Sequence, residues 1–240
     1  LEIVVNELML LNEGDLLKRA RREHFRPLNI IRVGTSGAVQ ADTPLGTSII
    51  TSYAIGLDNT GMFLDAAYSD FRSRQIEAII EDGIKSAMSP HSRFYGKIHP
   101  YVSRSSPHVV QALESAAQIL GYPCETGLTV SNSGFFANQD RQVARIPNTV
   151  HNLQKVLAGI DAGVAGQRIL NNEMESSALF HLAGAFGWSC GCICPVIANR
   201  QLNTFHSDIP GSVHQATKIA FLALQFIESM GRDLGAEFAR

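Results

Sequence analysis

Three short stretches of this sequence gather side chains able to hold and break a polar substrate. GFFANQDR (134–141) sets two aromatic rings ahead of a carboxamide, Gln139, and a guanidinium, Arg141. The carboxamide both donates and accepts, and the guanidinium is a permanent cation. Taken alone, the stretch reads equally well as a loop closed by an Asp140–Arg141 ion pair. RVGTSG (32–37) places a cation and hydroxyls among small residues that let backbone N–H groups approach an anion, an arrangement suited to phosphate. An ordinary Gly-rich turn is the simpler reading of that segment by itself. NNEMESSALF (171–180) brackets Met174 with Glu173 and Glu175 at the expected start of an apolar helix. Helix capping explains either carboxylate, because acidic groups are favoured in a first turn. The pair can also grip a sugar, accepting from vicinal hydroxyls while the thioether packs on the ring. A glycosidase pair is a rival, but this spacing does not say whether the two flank one bond.

The elements that must carry these clusters follow from periodicity. Residues 2–22 read as a helix with apolar Ile3, Val4, Leu8 and Leu11, and KRARRE as its solvated end. Short β-rich runs precede RVGTSG and cover TSIITSYAIGLD, GLTVSNS and CICPVIANR. Helical patterns span about residues 72–87, 107–120, 175–186 and 212–230. Strands alternating with helices imply an α/β fold, where ligands collect outside the carboxyl ends of strands. Each polar cluster falls at or just after a strand. No repeat or flexible linker interrupts the chain, so one domain over residues 1–240 is expected.

Composition removes several classes of function. With 20 Lys+Arg against 22 Asp+Glu, the formal charge of −2 lacks the basic excess of a protein that tracks polymeric nucleic acid. No apolar run approaches the ~18 to 20 residues of a spanning helix, and the first residues lack a signal-peptide pattern. A cytoplasmic protein without membrane contact is the expectation. Cys190, Cys192 and Cys194 alternate on a strand, roughly 6 to 7 Å apart on one face, and read as small buried residues rather than metal ligands. The eight histidines show no ligand spacing, and RVGTSG is neither a Walker loop nor GxGxxG.

Together, RVGTSGAVQADTPLG (32–46), GFFANQDR, NNEMESSALF and CPVIANR (194–200) resemble the nucleoside phosphorylase family in its uridine-cleaving branch, in order and approximate spacing. EME before a small-residue helix marks the wider family. The aromatic-x-x-Gln-x-Arg pattern points to a pyrimidine. The resemblance implies a central mixed β-sheet flanked by helices and a pentosyltransferase of pyrimidine salvage. It implies Arg32 and Thr35 as phosphate ligands, with Thr35 also near the ribose. Met174 and Glu175 become the ribose grip, supported by Glu173. Phe135, Gln139 and Arg141 form the nucleobase pocket, Arg200 backs Arg141, and Ser36 with Gly37 lines the base site. Purine-cleaving members carry Ser-Asp where this chain has Ala198-Asn199. An Asn is a poor proton donor, so a leaving uracil anion would be stabilised by Gln139 and Arg141 instead.

The implied reaction is phosphorolysis of uridine, with deoxyuridine and thymidine as further candidates, to uracil and ribose 1-phosphate. Inorganic phosphate is a co-substrate, and neither metal nor organic cofactor takes part. A homodimer or hexamer with shared sites is implied as well. The family's opening segment, with its Gly-Asp and Arg phosphate motif and sugar-contacting His, has no counterpart in the sequence. If that segment is absent from the protein, the phosphate site lacks charge and activity should be poor. The rivals are a nucleosidase of the same fold, which uses water, and an inactive nucleoside-binding relative. Arg32 with Thr35 argues against the first, because water needs a general base more than a cationic clamp.

Overall fold

The computed structural model describes residues 1–143 and 145–237, with side chains up to residue 229. In chain order its elements are α1 (Glu2–Glu13), β1 (Gly14–Asp15), β2 (Ala20–Arg21), β3 (Asn29–Val33), β4 (Ser36–Ala38), β5 (Ser48–Gly56), α2 (Phe71–Ser86), β6 (Tyr101–Arg104), α3 (Pro107–Leu120), β7 (Cys124–Ser131), α4 (Leu153–Gly159), β8 (Ile169–Glu173), α5 (Ser176–Ala185), β9 (Ser189–Asn199), β10 (Thr204–Phe205) and α6 (Ile209–Glu237).

Strands β3 to β10 form one mixed sheet, as expected, with the path β10-β9-β4-β8-β7-β5-β6. Strand β9 organises it. Its first half pairs parallel with β3, its last residues pair parallel with β4, and its middle pairs antiparallel with β5. Because β9 meets both β4 and β5, the path β9-β4-β8-β7-β5 returns on itself. The register lines up Asn172, Gly37 and Ala198 across three neighbouring strands.

Helices cover the sheet through apolar stripes. On α2, Ile76, Ile80 and Ile84 repeat every fourth residue and pack with Ile55, Leu128, Val130 and Ile169. Each such burial contributes about 1.5 to 3 kcal/mol. Asp70 caps α2 by accepting from the Ser73 N–H at 2.7 Å. Helices α3 and α6 pack together over Ile50 and Ile193, and α5 joins Val5 of α1 over Trp188, Cys190, Cys192 and Cys194.

The structure departs from the periodic reading at the first helix, which ends at Glu13 rather than near residue 22. Gly14 turns extended, and the charged run lies in the turn and the β1–β2 hairpin that follow. Arg21 returns to Glu13 (2.9 Å), whose other oxygen accepts from the Trp188 indole at 3.1 Å. Ile3, Val4, Leu8 and Leu11 are exposed, so the predicted apolar stripe faces away from the sheet. Strands β6 and β8 and helix α4 lie in stretches the periodicity does not mark. Among the described residues, no helix is long and apolar enough to cross a membrane.

Candidate active site

One cavity of about 190 Å³ collects most of the singled-out residues. Arg32, Thr35, Ser36, Gly37, Phe135, Gln139, Glu173, Met174, Glu175 and Arg200 line it. Arg141 is not on its wall but stands behind Phe135. The volume is below the ~300 to 1,000 Å³ common for small-molecule sites. An Arg32–Glu175 ion pair occupies part of it.

The end around Arg32 is built on sheet residues rather than on a loop. Arg32 lies within β3, residues 34–35 break the strand, and Ser36 and Gly37 belong to β4. Gly34 is needed there, since a Cβ would fall 2.6 Å from Nη1 of Arg32. Nη1 contacts Oε2 of Glu173 at 3.0 Å and donates to Sγ of Cys194 at 3.1 Å and of Cys192 at 3.5 Å. Nη2 pairs with Glu175. Burial works against the Arg32 charge, but the two sulfurs and Glu173 outweigh it and raise its pKa.

Glu173 ends β8 instead of opening the helix; Glu175 is the residue before α5. Glu173 is 3% exposed. Its oxygens accept from the backbone N–H groups of Glu175 (2.9 Å) and Ser176 (3.1 and 3.0 Å) and from the Ser131 hydroxyl. With Arg32 added, its lone-pair directions are taken. Glu173 therefore caps α5 and anchors Arg32, while Glu175, more open, faces the cavity. Behind it, Ser131 accepts from the Ser177 N–H, and the Ser177 hydroxyl donates to Asp58, which also accepts from Tyr101 at 2.7 Å. Sequence periodicity misses Asp58, Tyr101 and Ser177 because they come from three separate segments, the loop after β5, β6 and α5.

The end around Phe135 is built differently. After β7, a short 3-10 turn (Ala137–Gln139) buries Gln139 and leaves Phe135 and Phe136 half exposed. The Arg141 guanidinium lies 3.9 Å from the Phe135 ring centroid and 4.7 Å from that of Phe136; Arg200 approaches Phe135 at 5.8 Å. Arg141 also donates to the Phe135 carbonyl. Asp140 turns away and accepts from the Gln154 N–H at 3.4 Å, so the simple Asp140–Arg141 pairing is replaced by stacking. Burial and the neighbouring Arg200 both lower the pKa of Arg141. Among the described residues, Nε of Arg141 and Nε of Arg200 are buried without a hydrogen-bond partner. Two adjacent cations with unspent donors favour an anion.

Asn199 does not reach the cavity. It donates to the carbonyls of Gln40 (3.2 Å) and Ala41 (3.0 Å) and accepts from the Leu202 N–H at 3.3 Å. Asn172, Ile197 and Ala198 line the cavity in addition to the expected residues. Asn172 sits in the quoted NNEME motif, and Ile197 and Ala198 precede the Asn199 that drew attention. Among the described residues, no group of His, Cys, Asp or Glu is arranged to hold a metal ion.

Comparison with known proteins agrees with this architecture. A family model described as the phosphorylase superfamily matches residues 11–226. A uridine phosphorylase of Thermococcus kodakarensis is 29% identical over 177 residues, covering 73% of this chain and 50% of that protein. One of Haemophilus influenzae is 27% identical over 206 residues, covering 83% of this chain and 66% of that protein. The chain thus spans about half the length of the first and 66% of the second. A solved Trypanosoma brucei nucleoside phosphorylase, described as showing uridine phosphorylase activity, superposes with a TM-score of 0.84 at 24% identity. The match covers 93% of this chain and 75% of that one, and at this identity it carries the fold.

Proposed function

The chain belongs to the phosphorylase superfamily, and on that premise we propose that it cleaves uridine by phosphorolysis in cytoplasmic pyrimidine salvage. The observation that carries this reading is the unspent Nε donors of Arg141 and Arg200 around Phe135. Arg200 lines the cavity beside Phe135, and Arg141 stacks on the same ring.

In the proposed reaction, phosphate displaces the Glu175 carboxylate from Arg32 and also takes the exposed Thr35 hydroxyl. Freed, Glu175 accepts from the ribose hydroxyls, and Met174 packs on the sugar. Glu173 stays in place, holding Arg32 at the right depth. The uracil ring lies against Phe135, with Gln139 donating and accepting at its edge and Ser36 and Gly37 beside it. As the glycosidic bond stretches, negative charge develops on the base carbonyls, where Arg141, backed by Arg200, stabilises it. Phosphate then captures the oxocarbenium-like C1′. Positioning and electrostatics supply the acceleration, and the reaction uses neither a metal nor an organic cofactor.

We further propose a homodimer, or a hexamer assembled from dimers, with shared sites. The exposed Ile3, Val4, Leu8 and Leu11 of α1 support association. The test of function is base release from uridine, thymidine, cytidine, inosine and adenosine, with and without inorganic phosphate, on protein whose N-terminus has been established by mass. At least tenfold phosphate dependence with uridine is expected, unchanged by a chelator. Equal release without phosphate would instead make the protein a nucleosidase.

A further inference from the structure

Behind Arg32 lies a feature that phosphorolysis does not use. On β9, Cys192 and Cys194 point to the same face, and rather than standing the roughly 6 to 7 Å apart that alternate strand positions imply, their sulfurs approach to 3.6 Å. Both are free, and both are fully buried. What separates them from the cavity is the Arg32 guanidinium, whose Nη1 touches both sulfurs and which itself lines the cavity.

We propose that Cys192 and Cys194 form an oxidisable dithiol whose conversion to a disulfide by a hydroperoxide loosens Arg32. The two Cα positions are about 6.6 Å apart for alternate residues of a strand. That lies inside the span a disulfide tolerates, near its upper end. The two thiols are also unequal. The hydrogen bond between the two sulfurs holds Cys192 below the ordinary thiol value against its burial, with Arg32 adding to the effect. The same bond, together with burial, pushes Cys194 well up. Cys192 is thus the more acidic sulfur and the attacking one, and Cys194 the resolving thiol.

The chemistry balances with hydrogen peroxide as oxidant. The Cys192 thiolate attacks one peroxide oxygen, the O–O bond breaks, and the departing hydroxide takes a proton to become water. The Cys194 sulfur then attacks the sulfenic sulfur, the S–O bond breaks, and the second oxygen leaves as water with the Cys194 proton. Two thiols lose two electrons, and peroxide becomes two waters. In the product the sulfurs leave their original positions, so Nη1 of Arg32 loses two of its partners. Glu173 and Glu175 then compete alone for the guanidinium. The consequence for phosphate rests on the proposed role of Arg32, whereas formation of the bond does not.

The test exposes the reduced, folded protein to hydrogen peroxide, alkylates the remaining thiols after denaturation, and weighs the tryptic peptide of residues 169–200. That peptide holds Cys190, Cys192 and Cys194. The expected product carries one alkyl group, on Cys190, and recovers all of them after dithiothreitol. In Cys194→Ser, dimedone should instead trap a sulfenic acid on Cys192. Circular dichroism follows the fold throughout. Full alkylation of Cys192 and Cys194 while the more accessible Cys124 is oxidised would overturn the proposal, as would oxidation that appears only with loss of the circular dichroism signal. Phosphate titration before and after oxidation should show about a tenfold rise in phosphate KM, reversed by dithiothreitol; an unchanged KM with the disulfide formed would overturn the coupling to Arg32. Reduced protein without turnover would defeat the proposed reaction, and the peptide masses would still decide this inference.

Discussion

The two ends of the cavity hold their cations in opposite ways. At the end proposed for phosphate, Arg32 is fully engaged by Glu173, Glu175 and two sulfurs, and Glu173 in turn by Ser131 and the start of α5. At the end proposed for the base, Arg141 and Arg200 rest on aromatic faces with donors unspent. The first end is self-satisfied, so a ligand must exchange for an existing carboxylate. The second is short of an acceptor and is ready for charge that appears only as a bond breaks. Under the proposed reaction, such a site would take phosphate by substitution and stabilise the leaving group by addition.

The comparison breaks most sharply at Arg32. Arg32→Ala leaves the buried Glu173 carboxylate without its cation and should cost about 3 to 5 kcal/mol of stability, read as a lower thermal midpoint together with loss of phosphate-dependent turnover. A midpoint equal to that of the unaltered protein would show that the phosphate end is not held by this pair. Arg141→Ala should reduce kcat/KM for uridine by about 2 to 5 kcal/mol while leaving the midpoint nearly unchanged, because stacking on an exposed ring contributes little to the fold. Unchanged kcat/KM removes Arg141 from the reaction.

Gly34→Ala is a subtler displacement. Its Cβ would press on a guanidinium that is locked by carboxylates, and a shift of about 1 Å should lower turnover by about 100-fold. Wild-type kinetics in that variant would mean that Arg32 has room the structure does not show. The smallest expected effect is Glu175→Gln. It should weaken ribosides by about 1.5 to 3 kcal/mol through the lost charged hydrogen bond, with 2′-deoxyribosides affected less. Equal losses on both, measured side by side, would remove the O2′ contact from its role.

Much of the site was legible locally. RVGTSG, GFFANQDR and NNEMESSALF were marked by residue type and by their place at strand ends, and all three reach one cavity. The less legible elements have a common cause. Strand β8 ends in Asn171, Asn172 and Glu173, all buried through hydrogen bonds to other strands, so no apolar alternation announces it. Helix α1 shows the converse: its apolar period is genuine, but the residues that carry it face outward. Periodicity reports that a face is apolar, and packing decides what covers it.

By itself, the sequence determined the chemical types available, the sheet-and-helix alternation, and the absence of an acid at position 199. Only the tertiary structure decided that Glu173 is an anchor, that Glu175 pairs with Arg32 at the cavity, that Asn199 is spent on the backbone near residue 40, and that two cysteines sit against Arg32. The reason is sequence distance. Arg32 meets Glu175 across 143 residues and Cys194 across 162. Such meetings follow from strand order and register, which depend on the whole sheet closing around β9 rather than on any local pattern.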